Sequence, residues 1–159
     1  MIISNRNVIH PDIEFAGTTL SNVNSHRHLG VILTNRLTWS DHISHILESS
    51  SKMLHVTRKL QYQLDRESLD VIYRAFIRPK LEYASQIWDN CNDGDSIKLE
   101  NFQLAAARIV TGAKKGTSHN LLYEETNWET LKSRRQNTKI IHPVNENASF
   151  LLRMKHEFS

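Results

Sequence analysis

Seven aspartates, nine histidines and one cysteine are the side chains of this 159-residue chain whose spacing bears on catalysis or metal binding. The aspartates are Asp12, Asp41, Asp65, Asp70, Asp89, Asp93 and Asp95, and no two are adjacent. Two-metal phosphoryl transfer needs paired carboxylates to hold Mg²⁺ against phosphate oxygens. Asp93 and Asp95 flank Gly94 in a polar loop, where turn formation and the charge preference of a helix N-terminus account for them. His26 and His28 share one face of an expected strand, and His42 and His45 one face of an expected helix. Neither pair has an interleaved Glu or a third ligand of the kind zinc sites recruit, so surface or half-buried histidines are expected. Cys91 stands alone, which excludes an intrachain disulfide and a Cys-rich zinc finger and suits a reducing compartment. The five glycines form no G-x-G-x-x-G, and three residues rather than four separate Gly112 from Gly116. No G-x-S-x-G elbow is present. The expectation for this chain is no catalytic residue, no metal ligand and no cofactor.

Charge is more informative by position than in sum. Twenty Lys+Arg against 17 Asp+Glu leave +3. Between Asp41 and Glu100 acidic residues outnumber basic ones, ten to eight. From Arg108 to Lys139 the basic residues are Arg108, Lys114, Lys115, Lys132, Arg134, Arg135 and Lys139, against Glu124, Glu125 and Glu129. A basic C-terminal third is compatible with a polyanion partner, and also with a solvated face. The apolar runs are too short for a membrane span, and the start MIISNRNVIH lacks a secretory leader pattern. An intracellular protein, nuclear or cytoplasmic and not secreted, is expected.

The elements that position these residues divide the chain into three. Residues 1–36 read as short strands and turns: Ile2-Ile3, a break at Pro11-Asp12, an alternating stretch from Ile13 to Leu20 with a turn at Gly17, and a β-rich run from His28 to Leu33. At Thr38 the apolar period lengthens from 2 to about 3.6. Thr38-Trp39-Ser40-Asp41 fits a capping box. Trp39, Ile43, Ile46, Leu47, Met53, Leu54, Leu60 and Leu64 then mark one long helix, or two with a break at Ser49–Ser51. A second helix starts at Asp65 or Ser68 with Leu69, Ile72, Tyr73, Phe76 and Ile77 on one face. Pro79 kinks or ends it, and Leu81, Ala84 and Trp88 continue the stripe. A third runs from Ser96 to Thr111 and stops at Gly112. Leu121-Leu122-Tyr123 forms a short helix. A capping box at Thr126–Glu129 opens a last one, which ends near Ile141 before Pro143. Residues 142–159 read as a frayed tail. The expected fold is mainly α with a small β part: strands over 1–36, then a bundle of four to five helices over 37–141.

Several strings occur together in order. His28-Leu29-Gly30-Val31 precedes Leu37-Thr38-Trp39 and Asp41-His42-Ile43. Ile77-Arg78-Pro79-Lys80-Leu81-Glu82-Tyr83-Ala84 leads to Ile87-Trp88. Leu99-Glu100-Asn101-Phe102-Gln103 runs into Ala106-Ala107-Arg108-Ile109-Val110-Thr111-Gly112-Ala113. Leu122-Tyr123-Glu124-Glu125 precedes Trp128-Glu129-Thr130-Leu131 and Arg134-Arg135. Over roughly residues 1–140 this order resembles the region just after the catalytic palm in reverse transcriptases of non-LTR (jockey- or LINE-like) retrotransposons.

The resemblance implies a β-hairpin remnant of the palm followed by a helical thumb and connection. His28, Leu29, Gly30 and Val31 would be a primer-grip-like hairpin, with Gly30 letting a nucleic-acid backbone approach. Arg108, Lys114, Lys115, Lys132, Arg135 and Lys139 would be basic contacts to an RNA/DNA template–primer duplex. Trp128, on the stripe of Lys132, Arg135 and Lys139, is either a base-stacking residue or a core anchor inside a basic rim. The family's catalytic aromatic-x-Asp-Asp turn has no counterpart here, so the chain is expected to begin inside the palm and not to polymerise alone. Mg²⁺ is expected only for the full-length polymerase. The palm and fingers of the parent would be partners, and without them the strand edges of residues 1–36 are expected to limit solubility. The alternative is a non-catalytic helical module that binds nucleic acid or protein.

Overall fold

The structure, a computed structural model, describes residues 13–141. The expectations for Ile2-Ile3, Pro11-Asp12, Pro143 and the tail fall outside them.

Two hairpins lead. β1 (Ile13–Phe15) pairs antiparallel with β2 (Thr18–Leu20), and β3 (Ser25–His28) with β4 (Val31–Thr34), as two separate two-stranded sheets. Both loops have two residues with positive φ, Ala16-Gly17 at 50° and 76° and Leu29-Gly30 at 45° and 82°. This is the turn geometry whose twist matches that of the flanking strands. The run from His28 to Leu33 is therefore not one strand. It folds back at Leu29-Gly30, because glycine at the second turn position relieves the steric cost of positive φ.

α1 (Ser40–Leu60) is one unbroken helix. Its apolar stripe places Ile43, Ile46 and Leu54 inside, with His42, Ser50 and Thr57 on the same face. The helix does not break at Ser49–Ser51. Ser49 and Ser51 turn their hydroxyls back onto the carbonyls of Ile46 and Leu47, at 2.9 and 2.7 Å, so local polar groups do not compete with the helix. The expected capping box at Thr38 does not form. Thr38 is held instead in the corner after β4, where its N–H donates to Thr34 Oγ1 at 2.9 Å. The buried Thr34 fixes that corner.

α2 (Arg66–Ile72) begins at Asp65, whose side chain accepts the Ser68 N–H at 2.8 Å. It passes without interruption through a π-helical turn, Tyr73–Ile77, into α3 (Arg78–Glu82). The Arg78 N–H reaches back to the Tyr73 carbonyl, five residues away. A proline clashes with the carbonyl four residues before it, and the widened turn ahead of Pro79 provides the room. The wide turn also changes which residues face inward. Tyr73 and Ile77 are fully buried, whereas Phe76, expected on the same face, is 55% exposed. The stripe does not run on through Ala84 in helix. Tyr83 leaves helical geometry and Ala84 takes a left-handed φ of 52° before α4 (Ser85–Trp88).

α5 (Asp93–Thr111) is the central helix, packed against α1, α2, α6 (His119–Thr126) and α7 (Leu131–Ile141). It starts three residues earlier than expected, because Asn92 accepts the Asp95 N–H at 2.8 Å and caps it. Gly112 ends it with φ of 68°. Ala106 and Ala107 are buried, which lets neighbouring helices approach closely. Thr126 does not cap α7; it closes α6, and Asn127 follows in a left-handed conformation. The cap of α7 is Thr130, whose hydroxyl accepts the Ser133 N–H at 3.1 Å.

Among the described residues there are seven α-helical segments, α2 and α3 being joined by the π turn, where four to five helices were expected. Trp39, Trp88 and Trp128 all belong to the core.

Candidate nucleic-acid interface

The β3–β4 hairpin is docked on the helices. Val31 points into the core and Leu29 outward, with 78% of Leu29 exposed. The Tyr83 hydroxyl donates to the Leu29 carbonyl at 2.8 Å. A Cβ on Gly30 would lie 3.3 Å from Tyr83 Cε1. The bare face of Gly30 therefore accommodates a tyrosine ring of the protein itself. Behind the hairpin the Ile32 N–H donates to His42 Nδ1 at 3.3 Å. His42 is buried edge-on between Trp39 and Trp88, contrary to the surface or half-buried placing expected for the histidines. Burial, then the charges of His45 and Arg27, hold its pKa below the ordinary imidazole value. His26 and His28 are exposed on the outer strand, with ring centroids 6.4 Å apart.

The basic residues divide into exposed and internal. Lys114 and Lys115 are exposed on the loop after α5. That loop is closed by Thr117, whose N–H and hydroxyl both donate to the Lys114 carbonyl, at 3.2 and 2.9 Å. Arg108, on the last turns of α5, is half-buried, and its Nε is buried without a partner among the described residues. Lys132 is exposed in the first turn of α7, and its backbone N–H donates to Glu100 Oε1 at 2.9 Å. Glu100 stands eight residues before Arg108, about 12 Å along the axis of α5. Lys132 is thus at a different level of that helix from Arg108 and the lysine loop. The Lys139 side chain lies outside what the structure describes.

Arg135 is internal. It is 3% exposed, so the expected surface contact is not available to it. Its Nε donates to Asp89 Oδ1 at 2.8 Å, its Nη2 to Ser96 Oγ at 3.1 Å, and its guanidinium lies 5.5 Å from the centre of the Trp88 ring. Arg134 likewise grips Glu82 through both Nε and Nη2. The two adjacent arginines staple α7 to the α3–α4 region. Trp128 is not available to a base either. Its ring stacks on Tyr73 with centroids 3.8 Å apart, and its Nε1 donates to Asp70 Oδ1 at 2.6 Å.

Other polar residues of the motif strings prove to be internal joints that sequence pattern did not expose. The Tyr73 hydroxyl donates to Gln103 Oε1, and Gln103 Nε2 donates to the Glu129 carbonyl at 2.9 Å. Burial pushes the Tyr73 phenol far above its usual range, so it remains a donor. Glu100 joins three helices by accepting from Tyr123 Oη as well as from Lys132 N. The visible signal was a polar residue, Gln103, on an otherwise apolar face.

The buried acidic residue of the described chain is engaged within the fold. Asp95 is buried and accepts from Ser40 Oγ at 2.6 Å, Asn92 Nδ2 at 2.7 Å and Lys98 Nζ at 2.7 Å. Burial opposes its ionisation, but these donors outweigh that and hold its carboxyl below the usual range. Its oxygens are thus engaged within the fold. No group of three or more His, Cys, Asp or Glu is arranged to hold a metal among the described residues. The described residues do not fit a two-metal polymerase centre. Burial also pushes the Cys91 thiol up, away from the reactive thiolate.

The chain is 26% identical over 121 residues to a probable RNA-directed DNA polymerase from transposon X-element of Drosophila melanogaster. The chain is related to a region of a transposon reverse transcriptase. The match covers 68% of this chain and 12% of the relative's length. No family model and no solved structure matches the chain.

Proposed function

We propose that this reverse-transcriptase-related chain corresponds to the thumb and connection that follow the palm in a jockey- or LINE-like non-LTR element. In this role it contacts the RNA/DNA template–primer duplex and does not polymerise alone. The similarity to the transposon polymerase carries the proposal. The absence of any Asp-Asp pair supports the lack of activity, because phosphoryl transfer of this kind depends on metals held by paired carboxylates. Lys114 and Lys115, exposed and without an ion-pair partner among the described residues, are the favoured phosphate contacts. Lys132 and the Leu29-Gly30 tip are the next candidates. Exposed Ile13 and Phe15 on the first hairpin suit packing against the palm of the parent polymerase. An intracellular setting follows from the same role. No helix among the described residues is long and apolar enough to cross a membrane.

The test is a paired assay on the purified chain. Primer extension with Mg²⁺ and dNTPs is expected to give no product above a buffer control. Binding to an RNA–DNA template–primer is expected, and Lys114→Glu with Lys115→Glu is expected to weaken it without loss of helicity. Template-dependent extension would overturn the inactive role, and undiminished binding by the double variant would overturn the lysine assignment.

A further inference from the structure

A cationic, acid-free stretch also occurs outside the basic C-terminal third. From Ser49 to Leu64 there is no Asp or Glu, while Lys52, His55, Arg58 and Lys59 occur within it. All four are exposed, and none of their side chains takes part in a hydrogen bond or ion pair among the described residues. Steps of three and four residues put Lys52, His55 and Lys59 on one stripe of α1, about 10 Å long, with Arg58 on its flank. Tyr62 follows one turn later and is 88% exposed, the most exposed large apolar side chain among the described residues. Its backbone is held in a turn closed by the Gln63 and Leu64 N–H groups, which both donate to the Leu60 carbonyl at 2.9 and 3.0 Å. Its hydroxyl makes no hydrogen bond among the described residues, and its ring stands exposed.

Helix stability explains only part of this pattern. Arg58 and Lys59 lie in the last turn of α1, where cations complement the negative end of the helix dipole. Lys52 sits two turns earlier, beyond the reach of that effect. A tyrosine left bare beside unpaired cations has a different use. A free aromatic ring offers a face on which an unstacked base settles, and neighbouring lysines follow the phosphates of the same strand. A duplex keeps its bases stacked on one another and offers none to the ring.

We infer that the C-terminal half of α1 and the turn after it, with Tyr62 as stacking platform and Lys52 and Lys59 as phosphate contacts, bind single-stranded nucleic acid. This rests on the polymerase-derived role proposed above. It adds a second set of contacts, apart in sequence from the Lys114–Lys115 loop, and a second form of ligand.

The test measures fluorescence anisotropy of the whole chain with a short labelled oligo-dT strand and, separately, with an RNA–DNA duplex. Tyr62→Ala is expected to weaken oligo-dT binding by about 5- to 150-fold, the range found for loss of one base–aromatic stack. Tyr62→Phe is expected to retain binding, because the ring face is kept. Lys52→Gln with Lys59→Gln is expected to reduce the slope of log affinity against log salt by roughly 1.4, at about 0.7 per phosphate contact on a single strand. Duplex binding is expected to respond to Lys114 and Lys115 variants and not to Tyr62→Ala. Unaltered oligo-dT binding by Tyr62→Ala, with duplex binding still present, would overturn this inference and leave the duplex role standing. Loss of binding to both ligands by the unaltered chain would overturn both. Circular dichroism melts verify that the variants fold, which the exposure of all three residues favours.

Discussion

Arg135 and Asp89 form an ion pair at 2.8 Å with the guanidinium inside the protein, 2% of its side chain exposed against 13% for the carboxylate. The pair links α7 to the residue that follows α4. Removing one partner of a buried pair leaves an uncompensated charge, which costs about 3–5 kcal/mol. Arg135→Ala is therefore expected to lower the urea midpoint strongly, while Lys115→Ala leaves it unchanged within error. Equal stability of the two variants would contradict the internal placing of Arg135.

Gln103 is expected to behave as a structural joint. In Tyr73→Phe the stack on Trp128 is kept but Gln103 Oε1 loses its donor. An unsatisfied buried acceptor costs about 1–3 kcal/mol. Tyr73→Phe should lose that much in chemical denaturation. Combined with Gln103→Leu, which removes the acceptor, the loss due to Tyr73→Phe should be smaller. Simple additivity of the two changes would argue against the bond.

The elements were more legible than the joints. Asp65 and Gly112 announced a helix start and a helix stop, because each needs only local backbone groups. The capping box at Thr38 does not form because Thr34, four residues earlier, accepts the Thr38 N–H that Asp41 would take, a competition that a capping pattern does not display. Phe76 was misplaced because the apolar pattern around it assumes 3.6 residues per turn, and the π turn before Pro79 breaks that period. Arg135 was misplaced because an arginine on a helix reads as solvated unless its partners are known. Asp89 and Ser96 lie 46 and 39 residues away. For the same reason the lysines of the α5–α6 loop were legible, since a loop residue needs no distant partner to be exposed.

Gly30 has two separate demands on it. Its φ of +82° favours glycine, and a Cβ would press on the Tyr83 ring at 3.3 Å. Gly30→Ala is expected to destabilise by about 1–2 kcal/mol from the left-handed backbone alone. Tyr83→Ala should recover only the part due to the ring contact. Full recovery in the double variant, measured by thermal melting, would show that the backbone conformation costs nothing here.

His42 makes stability depend on pH. Its neutral form accepts the Ile32 N–H, and its folded pKa lies below the ordinary 6.5. The unfolded chain thus binds a proton at this residue at higher pH than the folded chain does. The contribution is fully present above about pH 6.5 and is lost as pH falls from there through the lower folded value. The urea midpoint should fall between pH 7 and pH 5, by less in His42→Gln. An identical fall in both proteins would place the effect on other groups.

The most direct test of the polymerase-derived role is the salt dependence of binding to an RNA–DNA template–primer. Phosphate contacts make log affinity fall linearly with log salt, by about 0.9 per contact on a B-form duplex. The unaltered chain is expected to show such a line, and Lys114→Gln with Lys115→Gln to flatten its slope by roughly two. A flat response, or no binding at low salt, would contradict a nucleic-acid role and favour a helical module that binds protein.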